Sequence, residues 1–168
     1  MINFYDTSSL LLKVDSLFEE NVPFAISSIT LDELENIKTS SNKDQEVKYA
    51  ARKLLHILDE NIEKANIVIY TEKMLAPILE RDLSVTNDSK ILACALSLKA
   101  QDEVCFYTND LALKTIARIF FDNVTSVNED LEDDYTGFID ITLNNDEMGE
   151  FYSNFTENRF NLLYNQYL

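Results

Sequence analysis

Four carboxylates stand where this chain passes from one element to the next. Asp6 closes the apolar stretch INFYD, and Glu33 follows the stretch PFAIS by one helical turn. Asp88 and Asp110 open helices in two copies of one phrase, VTNDSKILACAL over 85–96 and YTNDLALKTIA over 107–117. In an open parallel sheet, ligands collect outside the carboxyl ends of the strands, so these four acids have a geometric reason to meet. Like charges gathered there repel one another unless a cation joins them. All-oxygen ligands suit hard cations such as Mg²⁺ or Mn²⁺, which bridge a phosphate and lower the pKa of bound water. The chemistry implied is hydrolysis of a phosphodiester.

The same residues have a plainer use, because Thr, Asn and Asp cap helix N-termini and acids in the first turn are favoured by the helix dipole. Both uses fit one motif: Thr108 or Asn109 is expected to cap its helix and orient the carboxylate while Asp110 points into the cluster. Asp32, Glu35 and Asp130 read as solvated surface charge. His56, the only histidine, falls within an apolar helix and reads as a packing residue, so catalysis by a histidine acid or triad is not expected.

The elements that must position these groups alternate. INFYD and PFAIS (23–27) read as strands with a helix, SSLLLKVDSLFEE, between them. A second helix starts at Thr30, where Thr30 and Glu33 have the spacing of a capping box and Leu31, Leu34 and Ile37 form the apolar side. DQEVKYAARKLLHILDENIEKA carries Val47, Ala51, Leu54, Leu55 and Leu58 on one face. Strand NIVIY (66–70), helices near 73–81 and 88–100, strand EVCFYT, helix 110–120 and strand NVTSV follow. Such alternation predicts a three-layer α/β/α fold with a central, mainly parallel sheet. An acidic connection with a C-terminal strand and helix extension is expected over 128–168, after a first domain at 1–127.

A chain of 168 residues with 46% hydrophobic content is long enough for one buried core. It holds no long uncharged apolar run, and its start lacks the basic flank and cleavage site of a signal peptide, so no membrane contact and a cytoplasmic location are expected. Cys94 and Cys105, with no CxxC or histidine partner in spacing, read as core thiols. The net charge of −16 excludes nucleic-acid binding through a broad basic surface. Residues 1–121 hold 19 acids and 13 bases, residues 122–168 hold 11 acids and one base, so the acidity is concentrated in the tail. Lys38, Lys43, Lys48, Arg52 and Lys53 cluster in one stretch, and Lys114 and Arg118 follow the 107–110 phrase at helical spacing. Of these, Lys48, Arg52, Lys114 and Arg118 are the expected phosphate contacts.

FYDTSSLL, ITLDELENIK, NDSKILACAL and YTNDLALKTIA, in this order, resemble the acid-bearing motifs of PIN domains, a family of Mg²⁺- or Mn²⁺-dependent ribonucleases. The resemblance covers residues 2 to about 125. It implies metal ligation and catalysis by Asp6, Glu33, Asp88 and Asp110, and cleavage of single-stranded RNA. Ser8 stands where PIN domains often carry Asn and retains a hydroxyl for a carboxylate; Ser8, Thr108 and Asn109 are expected to support the acids. DYTGFIDITLNNDEMGEFY (134–152) is similar to the segment after the PIN domain in PhoH-like proteins, which often continue into an ATPase. No GxxxxGK[ST] is present, so such an ATPase, another protein at the FNLLYNQYL tail, or a second copy of the chain is the implied partner. A catalytically silent PIN module that binds RNA or protein is the alternative. A phospho-acceptor receiver domain shares the alternation, but NIVIYTEK ends without the acceptor Asp.

Overall fold

The computed structural model describes residues 1–14, 16–18 and 22–127. The acidic connection and C-terminal extension, with Asp130, lie outside the described residues. Strands β1 (Ile2–Tyr5), β2 (Phe24–Ser27), β3 (Ala65–Val68), β4 (Val104–Tyr107) and β5 (Asn123–Thr125) form a five-stranded, all-parallel sheet in the order β3-β2-β1-β4-β5. Helices α1 (Thr7–Leu12), α2 (Ser28–Thr39), α3 (Gln45–Glu60), α4 (Ala76–Leu79), α5 (Asn87–Lys99) and α6 (Leu111–Ala117) cover both faces, giving the three-layer α/β/α fold.

Every residue of β1 and β2 is buried, as strands covered on both sides require. Alternation then sorts their side chains. Phe4, Ala25 and Phe106 face α5 and α6, where Phe106 stacks between Phe4 and Phe121 at 5.8 and 5.6 Å between ring centroids. Tyr5, Phe24 and Ile26 face the layer in which Leu34 of α2 and Ala51, Leu54 and Leu58 of α3 are buried. Each fully buried large apolar side chain contributes roughly 1.5–3 kcal/mol, so the two apolar layers fix the pleat and with it the register. Ile2 pairs with Val104 and Tyr5 with Tyr107, which sets the next residues of the two strands, Asp6 and Thr108, side by side at the carboxyl end.

From β1 the chain winds outward through β2 and β3, then returns to pair β4 on the other side of β1. The strand order therefore reverses at β1, and the crevice beyond β1 and β4 is where such sheets bind ligands.

Several boundaries differ from the sequence reading. The first helix ends at Leu12; Val14 and Leu17 are still buried, but in the turns that follow. The second starts earlier than Thr30, because the Ser27 hydroxyl accepts the Thr30 backbone N–H at 2.9 Å and so supplies the cap; the Thr30–Glu33 capping box does not form. The 73–81 helix is a short 3₁₀ turn at Glu72–Leu75 leading into α4, with Pro77 in its first turn. His56 is exposed on α3 rather than packed. Cys94 is buried and Cys105 half-buried, both as free thiols. No described helix is long and apolar enough to cross a membrane.

Candidate active site

Asp6 is the best-anchored of the acids. It caps α1, and only 4% of its surface is exposed. The Ser9 backbone N–H donates to Oδ1 at 2.7 Å, the buried Thr108 hydroxyl donates to Oδ2 at 2.7 Å, and the Ser8 hydroxyl lies within 3.0 Å of both oxygens. Charge-assisted bonds of this kind are about twice as strong as neutral ones, so the carboxylate is held in one orientation. Ser8 also accepts the Asn109 backbone N–H at 3.1 Å, tying the β4 exit to the β1 exit.

Asp110 itself caps α6, contrary to the expectation that Thr108 or Asn109 would do so. Its Oδ1 accepts the Ala112 and Leu113 backbone N–H groups at 2.7 and 3.0 Å. Thr108 instead bridges the two strand-end acids, donating to Asp6 and accepting the Asp110 N–H at 3.1 Å. Asn109 is spent on the β5 exit, where its side chain exchanges two hydrogen bonds with the Val127 backbone. A cap needs an acceptor in extended conformation directly before the first turn, and Asp110 is the residue that has it (φ −79°, ψ 117°).

The second copy of the phrase is wired differently. Thr86 caps α5 in a capping box with Ser89, and Asp88 is a first-turn acid with no side-chain cap duty. Glu33, on the second turn of α2, accepts the Thr7 hydroxyl through Oε2. Thr7, not singled out from sequence, thereby links the α1 start to α2; its signal was only its place next to Asp6.

Asp6, Glu33, Asp88 and Asp110 line one open cleft of about 230 Å³ at the carboxyl ends of β1 and β4, together with Ser8 and Lys43. Their mutual influence is read on Asp88, whose pKa is pushed up by desolvation and then by the charges of Glu33, Asp110 and Asp6. Asp88 retains considerable exposure, so water screens part of this repulsion. Among the described residues, no three His, Cys, Asp or Glu are gathered tightly enough to hold a metal ion as they stand. The cause is local: Asp6 is tied to three donors, Asp110 to its own helix and Glu33 to Thr7, and like charge opposes closer approach. The donor set itself suits a hard divalent cation, being all carboxylate. Within the described residues Asp110 keeps Oδ2, Glu33 keeps Oε1 and Asp88 keeps both oxygens outside the hydrogen-bond network.

The expected phosphate contacts do not line this cleft. Lys114 is buried, and its amine donates to the Ser126 hydroxyl at 2.9 Å, which in turn donates to the Thr108 carbonyl at 2.8 Å. Its role is to brace the β4 exit. Arg52 and Arg118 are exposed on α3 and after α6, and Lys48 is half-buried. Among the described residues Lys43, in the loop between α2 and α3, is the lysine or arginine that lines the cleft; its sequence signal was membership of the basic stretch 38–53. A larger cavity of about 460 Å³, lined in part by Lys99, Asp102 and Glu103, opens at the amino ends of β4 and β5, away from the acids.

Residues 4–125 match the PIN domain family model, and the chain belongs to the PIN domain family. PIN domains are generally divalent-metal-dependent nucleases. No curated protein matches the chain. Among solved structures, PAE2754 from Pyrobaculum aerophilum is 16% identical with a TM-score of 0.53, covering 79% of this chain and 88% of that one. VapBC-5, a member of the VapBC family of toxin-antitoxin systems from Mycobacterium tuberculosis, is 19% identical with a TM-score of 0.47 over 75% of this chain and 97% of that one. VapBC-1 from nontypeable Haemophilus influenzae is 16% identical with a TM-score of 0.46 over 75% and 98%. At these identities the first likeness is one of fold, and fold alone assigns no substrate.

Proposed function

We propose that the chain is a divalent-metal-dependent endoribonuclease that hydrolyses phosphodiester bonds of single-stranded RNA, with Asp6, Glu33, Asp88 and Asp110 as the residues that hold the cation. The observation that carries this reading is the meeting of four carboxylates in one cleft, with the Asp88 pKa raised by the other three after desolvation. Such an arrangement is self-repulsive for the protein alone, and a bound cation converts it into a stabilising one. When bound, Mg²⁺ or Mn²⁺ supplies neutralisation of phosphate charge and acidification of water.

The chain's own residues have distinct tasks. Asp6 is the fixed anchor, since Ser8, Ser9 and Thr108 leave its carboxylate no freedom to turn. Asp110 holds α6 with one oxygen and offers the other to the cleft. Glu33 is steadied by Thr7. Asp88 is the adaptable member, a first-turn acid with no capping duty. Lys43 supplies a positive charge for a substrate phosphate. In this reading the protein works on cytoplasmic RNA, and the 134–152 similarity to PhoH-like proteins makes an ATPase the partner to look for in the neighbouring reading frame.

The separation of the acids favours one second reading, a silent PIN module that binds RNA or protein. One assay separates the two: wild type and Asp110→Asn on an end-labelled unstructured RNA, with Mn²⁺ and with EDTA. Asn is as good a helix cap as Asp, so this variant keeps α6 while losing the charge. Cleavage by wild type with Mn²⁺ alone supports the nuclease. Binding without cleavage, unchanged in the variant, supports the module.

A further inference from the structure

Asp88 belongs to two walls. On one side it lines the acid cleft; on the other it lines a separate, predominantly apolar pocket of about 160 Å³ between α5, α6 and the loop that follows α4. Ile78, Leu92 and Leu113, all nearly or fully buried, form the floor. The exposed Ala112 sits at the wall beside the Asp110 cap.

The pocket is built rather than accidental. Asp82 takes a left-handed conformation (φ 54°), and the Asp82 and Leu83 backbone N–H groups donate to Leu79 and Ile78 carbonyls at 3.0 and 3.3 Å. Asp is among the few non-glycine residues that accept this conformation at low cost. The turn sends Leu83 and Ser84 back along α5, where the Ser89 hydroxyl donates to the Ser84 carbonyl at 2.5 Å. Thr86 and Ser89 are already paired in their capping box, which leaves the Ser84 hydroxyl and the Asp88 carboxylate as the lining groups outside the hydrogen-bond network of the described residues.

We infer that this pocket receives the base of the RNA nucleotide next to the scissile phosphate, which rests on the nuclease reading of the adjoining cleft. The occupant is argued from size, chemistry and continuity. Ligand pockets for drug-sized molecules are about 300–1,000 Å³, so this one suits a single small ring system. Aliphatic walls from Ile78, Leu83, Leu92, Leu113 and Ile116, with a polar side made by Ser84, Thr86, Asp88 and Ser89, match a base, which has an apolar face and a polar edge. Bases of single-stranded RNA are unstacked and available for such insertion. The shared Asp88 makes the pocket the natural continuation of a chain whose phosphate lies among the acids. An apolar protein side chain would fill the floor but would gain nothing from the carboxylate seam.

The test uses the full chain and reads binding apart from cleavage. Methyl NMR spectra are recorded with diamagnetic Mg²⁺ during titration with adenosine or uridine monophosphate, which hold no internucleotide bond to cleave, and with inorganic phosphate as the base-free control. Shifts of the Ala112, Leu113 and Ile116 methyls are expected with a nucleotide and not with phosphate, and Ala112→Phe, which fills the mouth from an exposed position, should abolish them. Ser84→Ala provides a milder second variant that removes only one hydroxyl from the polar side. In the cleavage arm, replacing the flanking nucleotide by an abasic residue should reduce wild-type kcat/KM about tenfold or more, the scale of one lost base contact, and should cost Ala112→Phe far less. Nucleotide shifts in the pocket without any RNA cleavage would support the pocket and refute the nuclease. RNA cleavage indifferent to Ala112→Phe, Ser84→Ala and the abasic change, with no pocket shifts, would overturn the pocket and leave the nuclease standing.

Discussion

Replacing Thr108 with valine is the most searching test of how the site is held together. The residue is fully buried, donates to Asp6 Oδ2 at 2.7 Å and accepts the Asp110 N–H at 3.1 Å. Valine keeps the shape and removes both bonds. A hydrogen bond to a charged group contributes about 1.5–3 kcal/mol, and a donor left unsatisfied adds about 1 kcal/mol where water can partly replace the partner. The sum, about 2.5–4 kcal/mol, corresponds to a fall in Tm of roughly 5–15 °C for a protein of this size. Thr108→Ser keeps the hydroxyl and loses one methyl, costing about 1 kcal/mol. Urea unfolding followed by far-UV circular dichroism at neutral pH in EDTA measures both, with equal m values as the check on the denatured state. A valine variant no less stable than the serine variant would refute the claim that Thr108 joins the two acids.

Four further outcomes are expected. Asp88, with its pKa raised above 3.8 by desolvation and then by Glu33, Asp110 and Asp6, binds its proton more tightly when folded. Its contribution is therefore complete below 3.8 and is lost as pH rises through the folded pKa; Asp88→Asn should be the more stable protein at neutral pH, with the difference vanishing on acidification in metal-free unfolding curves. Mn²⁺ at a hundredfold excess over its Kd should add about 2.7 kcal/mol, seen as a rise in Tm that Asp110→Asn largely removes. Asp6→Asn should be destabilised more than Asp110→Asn, because one Asn oxygen cannot accept from donors placed at both Asp6 oxygens; paired urea curves decide this. Cys94, whose thiol burial pushes up to about 11, should react with a disulfide reagent only as fast as the protein unfolds, and rapid labelling in native buffer would contradict the packing around α5.

The sheet, and the placing of the four acids along one open cleft, were legible because both rest on strong local signals. Short apolar runs alternating with helical periodicity leave little but a parallel sheet, and Asp6 directly after β1 and Asp110 three residues after β4 emerge at the same sheet edge. What escaped was decided by competition among neighbours. Thr30 was the expected start of α2, but Ser27, extended at the end of β2, accepts the Thr30 N–H and places Thr30 inside the helix. Thr108, Asn109 and Asp110 offered three caps for one helix, and the sheet register gave Thr108 to Asp6 instead. His56 lies amid leucines in sequence, yet α3 turns it outward. Lys114 looked like a surface cation because charge suggests solvent, whereas its stem is buried and its amine finds Ser126.

The claim that the acids serve one cation is tested most directly by single-turnover RNA cleavage at saturating Mn²⁺ with Asp88→Asn, Asp110→Asn and the double variant. Residues that hold one ion act as a unit, so their losses do not multiply. Each single change is expected to slow cleavage by orders of magnitude, and the double variant to be no slower than the worse of the two. Single variants that cleave at the wild-type rate, or a double variant whose loss is the product of the single losses, would contradict a shared site.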